Sequence, residues 1–129
     1  MNQFNQTIIS LITPPLMGAI AVIRLSGDDC LEITEKFFSR KIVKPRYAYF
    51  GEIRNEKETI DQVVLVYYKG PNSFTGEDVI EISCHGSMLI AQEIISLFVS
   101  AGVRLAERGE FSSRAFYHGK IDLVQAEAI

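Results

Sequence analysis

Two ionisable residues stand inside apolar strand-like segments. Arg24 interrupts the apolar stretch at 19–25, and Glu81 sits in the middle of the alternating segment 79–85. A charge placed there must be paired or must face a lined cavity, because burying it alone is costly. Two readings of Glu81 therefore stand side by side: a carboxylate at a cavity wall, and one half of a salt bridge to Arg24. Cys84 and His85 are adjacent, so on a strand they point to opposite faces, and Cys30 and His118 are the remaining candidates; no metal site is expected. Cys84 has no base on its own face and reads as a core cysteine, while His85 reads as a satisfied hydrogen-bonding residue. Gly119-Lys120 has the look of a phosphate-binding loop. That loop requires a glycine five residues earlier and a Ser or Thr after the lysine, whereas this chain has Arg114 and Ile121. No GTPase site and no catalytic residue is expected within these residues. Arg40, Lys41, Lys44 and Arg46, followed by Tyr47, Tyr49 and Phe50, form a basic and aromatic stretch suited to RNA, although a solvated loop before a strand is the preferred reading.

The elements that must hold these groups follow from periodicity. Residues 7–12 and 19–25 read as two strands separated by the helix-breaking Thr13-Pro14-Pro15. A helix is predicted over 28–39, with Cys30, Ile33 and Phe37 on one stripe and a capping box from Ser26 to Asp29. Further strands are expected at 44–53 and 63–68, the second apolar enough to be buried on both faces, with a loop at 71–75. In segment 79–85 the alternation places Ile80, Ile82 and Cys84 on one face and Val79, Glu81, Ser83 and His85 on the other. Between Gly86 and Gly102 lies the clearest helix, with Ile90, Ile94, Leu97, Phe98 and Ala101 on the face that covers the sheet. A short helix is expected at 112–116, and another begins near Asp122 with Gln125 as capping partner. A chain that stops one or two turns into such a helix is expected to be the leading part of a longer protein.

With 129 residues, 47% of them hydrophobic, the chain suffices for one core and one domain. Its formal net charge of -3 weakly repels nucleic acid, so any RNA contact must come from a local patch. No run is long enough to span a bilayer, no signal peptide is recognisable, and two cysteines are compatible with a reducing compartment; a cytoplasmic protein without membrane contact is expected.

Three stretches carry a resemblance beyond pattern: Gly70-Pro-Asn-Ser-Phe-Thr-Gly-Glu-Asp-Val-Ile-Glu81, then Cys84-His-Gly86, then Arg108-Gly-Glu-Phe-Ser-Ser-Arg-Ala-Phe116 leading to Gly119-Lys-Ile-Asp-Leu-Val-Gln-Ala-Glu-Ala128. Together with Ile23-Arg-Leu-Ser-Gly27 and Lys44-Pro-Arg46, they resemble the N-terminal domain of the bacterial tRNA-modification GTPase family MnmE, also called TrmE. The resemblance runs from about Thr7 to the end. It implies an α+β fold, a mixed β-sheet packed with helices, similar to the tetrahydrofolate-binding domain of the glycine-cleavage aminomethyltransferase group. It further implies a folate-binding and homodimerising domain over 1–120, with 121–129 opening a central helical domain. The family's GTPase domain, with its GTP, potassium and magnesium, would lie outside these residues. Members act with the flavoprotein MnmG on the wobble uridine of tRNA, installing an aminomethyl-type group at carbon five, with a reduced folate (formyl- or methylene-tetrahydrofolate) supplying the one-carbon unit.

Carried over residue by residue, the family's folate contacts fall on Arg24, Glu81 and Lys120. A carboxylate accepts together the ring N–H and exocyclic amine of a pterin, while arginine and lysine pair with anionic or carbonyl oxygens. One stretch departs from the family: Pro14-Pro-Leu-Met-Gly-Ala19 stands where Pro-Pro-Gly-Arg-Gly-Gly is usual, so the loop has lost a glycine pair and an arginine. Ser87 replaces a usual glycine, a change that a helix N-cap accommodates. Two alternatives follow: a dimerisation scaffold that has lost folate binding through the Leu16-Met17 loop, and a stand-alone aminomethyltransferase-like enzyme, which would need a fuller acid/base site than Glu81 and His85 provide.

Overall fold

A computed structural model of the chain describes residues 6–14 and 18–121. The Leu16-Met17 loop and the expected helix near Asp122 lie outside the described residues. Among the described residues, six strands and three helices follow one another as β1 (Ile8–Leu11), β2 (Ile20–Ser26), α1 (Cys30–Phe37), β3 (Ala48–Arg54), β4 (Thr59–Tyr68), β5 (Val79–His85), α2 (Met88–Ser100), β6 (Arg104–Leu105) and α3 (Glu110–Tyr117). The strands form a single sheet in the order β3-β4-β5-β2-β1-β6. All neighbours are antiparallel except β1 and β6, which run parallel, so the fold is α+β with a mixed sheet, as expected.

Alternation decides which face each residue serves. Ile9, Ile23, Leu25, Ile80, Ile82 and Leu65 are fully buried beneath the helical layer, where α2 crosses β1, β2, β4 and β5 and contributes Ile94 and Phe98. Phe37 of α1 meets Phe98 edge-on with centroids 5.3 Å apart, which joins the two helices into that layer. Ser87 caps α2 by accepting a hydrogen bond from the Ile90 N–H, which accounts for a serine at this position.

The opposite face is covered only in part, which corrects one expectation. In β4, Val63, Leu65 and Tyr67 are buried, but Val64 is 38% exposed; the strand lies on a half-covered face and is not buried on both sides. The reading failed because a run of apolar residues looks alike whether one face or two are covered. Strand β3 begins at Ala48 rather than 44, since 44–47 is loop with Arg46 at φ 60. The capping box from Ser26 to Asp29 is also absent. The Ser26 hydroxyl instead bonds Thr75 Oγ1 and Glu77 Oε1, both at 2.7 Å, and Asp29 makes no side-chain cap bond. At the intervening turn Gly27 has φ 144 and a Cβ there would lie 2.4 Å from Thr7 Oγ1, so only glycine lets β2 pass this close to the first strand.

Candidate functional site

The register of β2 and β5 sets Arg24 directly opposite Glu81 on the sheet face away from α1 and α2. Both Nε and Nη2 of Arg24 donate to Glu81 Oε2, at 3.0 and 2.9 Å, with side-chain exposures of 16% and 26%. Of the two readings of Glu81, the salt bridge to Arg24 is the one the structure has. Arg24 in turn lines a cavity of about 670 Å³ whose walls include Phe74, Arg108 and Phe111, and Glu81 itself is not a wall of it. The guanidinium lies 4.7 Å from the Phe74 ring centroid and 5.4 Å from that of Phe111, within cation–π range of both.

Two segments hold those rings in place. The loop before β5 carries Phe74 and is tied down at its far end. Gly70 N–H donates to Asp78 Oδ1 at 2.9 Å, the Ser73 hydroxyl donates to the Glu77 carbonyl, and Thr75 is fully buried against Ser26. Helix α3 carries Phe111 and is anchored by Arg114, whose side chain has no solvent exposure. Arg114 donates to Glu77 Oε1 at 3.0 Å and Glu110 Oε2 at 3.2 Å. Glu110 in turn receives Arg104 at 3.0 and 2.5 Å and the Glu107 N–H at 2.9 Å, and His118 Nε2 lies 3.2 Å from Glu77 Oε2. An unbroken chain of charge thus joins β6, α3 and the Phe74 loop beneath the cavity.

This network has a pH signature. Burial pushes the Glu110 carboxyl up, but hydrogen bonds from Arg104 and the Glu107 backbone, with the charge of both arginines, outweigh it and hold the group below the usual carboxylate range. A depressed folded value means that the stabilisation is present above the ordinary unfolded value and is lost as pH falls through the folded one. The stability gap between the parent chain and Glu110→Gln is expected to be full at pH 7 and to close as the pH drops below about 4. Urea unfolding at a series of pH values measures it; a gap unchanged down to pH 3 would contradict the assignment.

The third residue expected from sequence, Lys120, follows α3 and reaches the loop before β5 at a different point. Its Nζ donates to the Pro71 carbonyl at 3.0 Å, and its chain passes Gly76, where a Cβ would stand 3.4 Å from Lys120 Cγ. The structure brings Arg24 and Glu81 together and leaves Lys120 outside the walls of the Arg24 cavity. Phe74, Arg108, Phe111 and Arg114 carry no role in the sequence reading. The signal available was the motif 70–81 for Phe74 and the unbroken motif 108–116 for the other three, in which Glu110 and Arg114 have the i, i+4 spacing of an ion pair.

The remaining chemical groups are accounted for. His85 Nδ1 lies 2.7 Å from Asp61 Oδ1, and its backbone N–H donates to Asp61 Oδ2 at 2.8 Å, as a satisfied polar residue does. Burial, with Asp61 nearby, pushes the Cys84 thiol up to about 11, so it stays protonated and is a poor nucleophile. Among the described residues, no group of three or more His, Cys, Asp or Glu is arranged to hold a metal ion. In the basic stretch, Arg40 lies over Tyr49 at 5.1 Å and Arg46 over Tyr68 at 5.8 Å. No helix among the described residues is long and apolar enough to cross a membrane.

Comparison with known proteins places these features in context. The family model described as "GTP-binding protein TrmE N-terminus" matches residues 7–120. A protein of Aquifex aeolicus named tRNA modification GTPase MnmE is 48% identical over 127 residues, covering 97% of this chain and 28% of that protein. Its namesake in Thermotoga maritima is 48% identical over 124 residues, covering 95% and 28%, and that of Mycoplasmopsis pulmonis is 50% identical over 111 residues, covering 86% and 25%. The chain thus spans about a quarter of the length of these relatives.

Proposed function

This chain belongs to the family of TrmE N-termini, and from that premise we propose that it is the tetrahydrofolate-binding, homodimerising domain of a tRNA-modification GTPase. The observation that carries the reading is the Arg24–Glu81 pair set beside two phenylalanine rings at a cavity of about 670 Å³. Cavities of roughly 300–1,000 Å³ suit organic ligands of cofactor size. The residues fit a reduced folate. Glu81 Oε2 is taken by Arg24, while Oε1 accepts no hydrogen bond among the described residues and is open to the N–H groups of a pterin edge. Arg24 supplies a cation for carbonyl or carboxylate oxygens, and the phenylalanines supply flat apolar walls; Lys120, the third contact the family resemblance implies, is held on the Pro71 carbonyl outside those walls. Bound folate would furnish the one-carbon unit; this domain's part is to bind and orient it.

In the whole protein, this domain serves a GTPase that acts on tRNA with the flavoprotein MnmG in the cytoplasm, installing an aminomethyl-type group at carbon five of the wobble uridine. On this reading residues 1–120 form the folate domain, akin to that of the glycine-cleavage aminomethyltransferase group, and 121–129 open the central helical domain. GTP, potassium and magnesium belong to a GTPase domain outside this sequence. The homodimer draws support from the half-covered sheet face, where Ile20 is 60% and Phe50 63% exposed. Apolar surface of that kind is commonly covered by a partner, and a two-fold axis brings the same patch to itself.

Calorimetric titration with 5-formyl-tetrahydrofolate tests the reading. Saturable binding is expected, and its absence at every accessible concentration would overturn the folate assignment in favour of a scaffold role. Sedimentation over a dilution series tests the dimer, which a monomer throughout would sink.

A further inference from the structure

The cavity has a second arginine. Arg108 lines it together with Arg24, yet the two differ in how their charge is met. Arg24 is neutralised by Glu81. Arg108 makes no ion pair among the described residues: it precedes α3, the adjacent Glu107 is exposed and forms no ion pair with it, and Glu110, the first residue of α3, is buried and turned to Arg104 and Arg114. The cavity is therefore lined by one arginine that is compensated and flanked by rings and by another with no ion-pair partner among the described residues. A positive, concave site in a chain of net charge -3 is a local feature rather than a reflection of the whole-chain field.

We propose that Arg108 recognises the ligand by its carboxylate tail, so that the site selects a pteridine bearing a negatively charged glutamyl group over the same ring system without the charge. This rests on the folate reading above and extends it to a residue and a specificity. The chemistry is that of a guanidinium fork, which presents paired N–H donors to the two oxygens of a carboxylate. Because Arg108 is exposed and outside the buried charge network, its replacement leaves the fold intact.

The test compares 5-formyl-tetrahydrofolate with its dimethyl ester, which keeps the rings and the tail but removes both tail charges. Calorimetry is performed on the parent chain and on Arg108→Ala. The parent chain is expected to prefer the acid to the ester by about 10-fold or more, the range of a hydrogen bond to a charged group, and Arg108→Ala is expected to lose most of that preference while binding the ester as the parent does. A preference that survives in Arg108→Ala overturns the proposal and leaves the folate reading standing. So does a parent chain that binds acid and ester equally, or a variant that weakens both alike. A parent chain that binds neither overturns the folate reading and this proposal together.

Discussion

Replacing Arg114 by alanine is expected to destabilise the domain by about 3–5 kcal/mol, the cost of removing one partner from a buried ion pair. The side chain has no exposure, and the carboxylates it meets are only 8% and 7% exposed, so water cannot readily replace it. Glu77 would keep the Ser26 hydroxyl and His118, and Glu110 would keep Arg104, but two buried carboxylates would lose their shared cation. Against a typical domain stability of about 5–15 kcal/mol, that loss is a large share. Urea unfolding of Arg114→Ala measures it, and Arg114→Met separates charge from volume. Methionine restores most of the packing and none of the charge, so it should remain nearly as damaging. A loss under about 1 kcal/mol in both variants would show that the network is not what holds α3 to the sheet.

The second large effect is on binding. Glu81→Ala is expected to weaken reduced-folate binding by about 1–3 kcal/mol through loss of a charge-assisted pair. Because Arg24 places two donors on the Glu81 carboxylate, the mutation also releases that guanidinium from its fixed position between Phe74 and Phe111. The two residues should therefore act as one unit: Arg24→Ala and Glu81→Ala together should cost less than the sum of the separate losses. Calorimetry on the three variants, each checked for folding, decides it. Unchanged affinity in folded Glu81→Ala would remove Glu81 from the site.

What was legible in the sequence was what repeats. Strand β5 and helix α2 follow from periods of two and about 3.6, and the alternation in 79–85 placed Glu81 on the face opposite Ile80 and Ile82, where the structure has it. Where pattern failed, a tertiary partner had won. Ser26 was read as a local cap, yet its hydroxyl goes to Thr75 and Glu77, residues some fifty positions away. Two-residue β6 is too short to show any period and exists because Ile8 and Ile9 pair with it. The site divides the same way. Arg24 and Glu81 stand out as charges inside apolar strands, and the family resemblance singled them out together with Lys120. Phe74, Arg108 and Phe111 lie in a loop and around the start of a short helix, where no alternation distinguishes a cavity wall from a surface residue.

The parallel seam between β1 and β6 has a consequence for the order in which the protein is made. Ribosomes add about 5–20 residues per second. Arg24 therefore emerges on the order of ten seconds before Arg108, Phe111 and Arg114, and for that interval the nascent sheet has neither the final strand nor the helix that carries Phe111. Glu77 leaves the tunnel well ahead of the arginine that neutralises it. Contacts spanning nearly the whole domain must wait for the last segment, as in other folds of high contact order. The cavity is accordingly a late product of synthesis: a chain arrested before α3 has the Arg24–Glu81 strands but only part of the cavity wall.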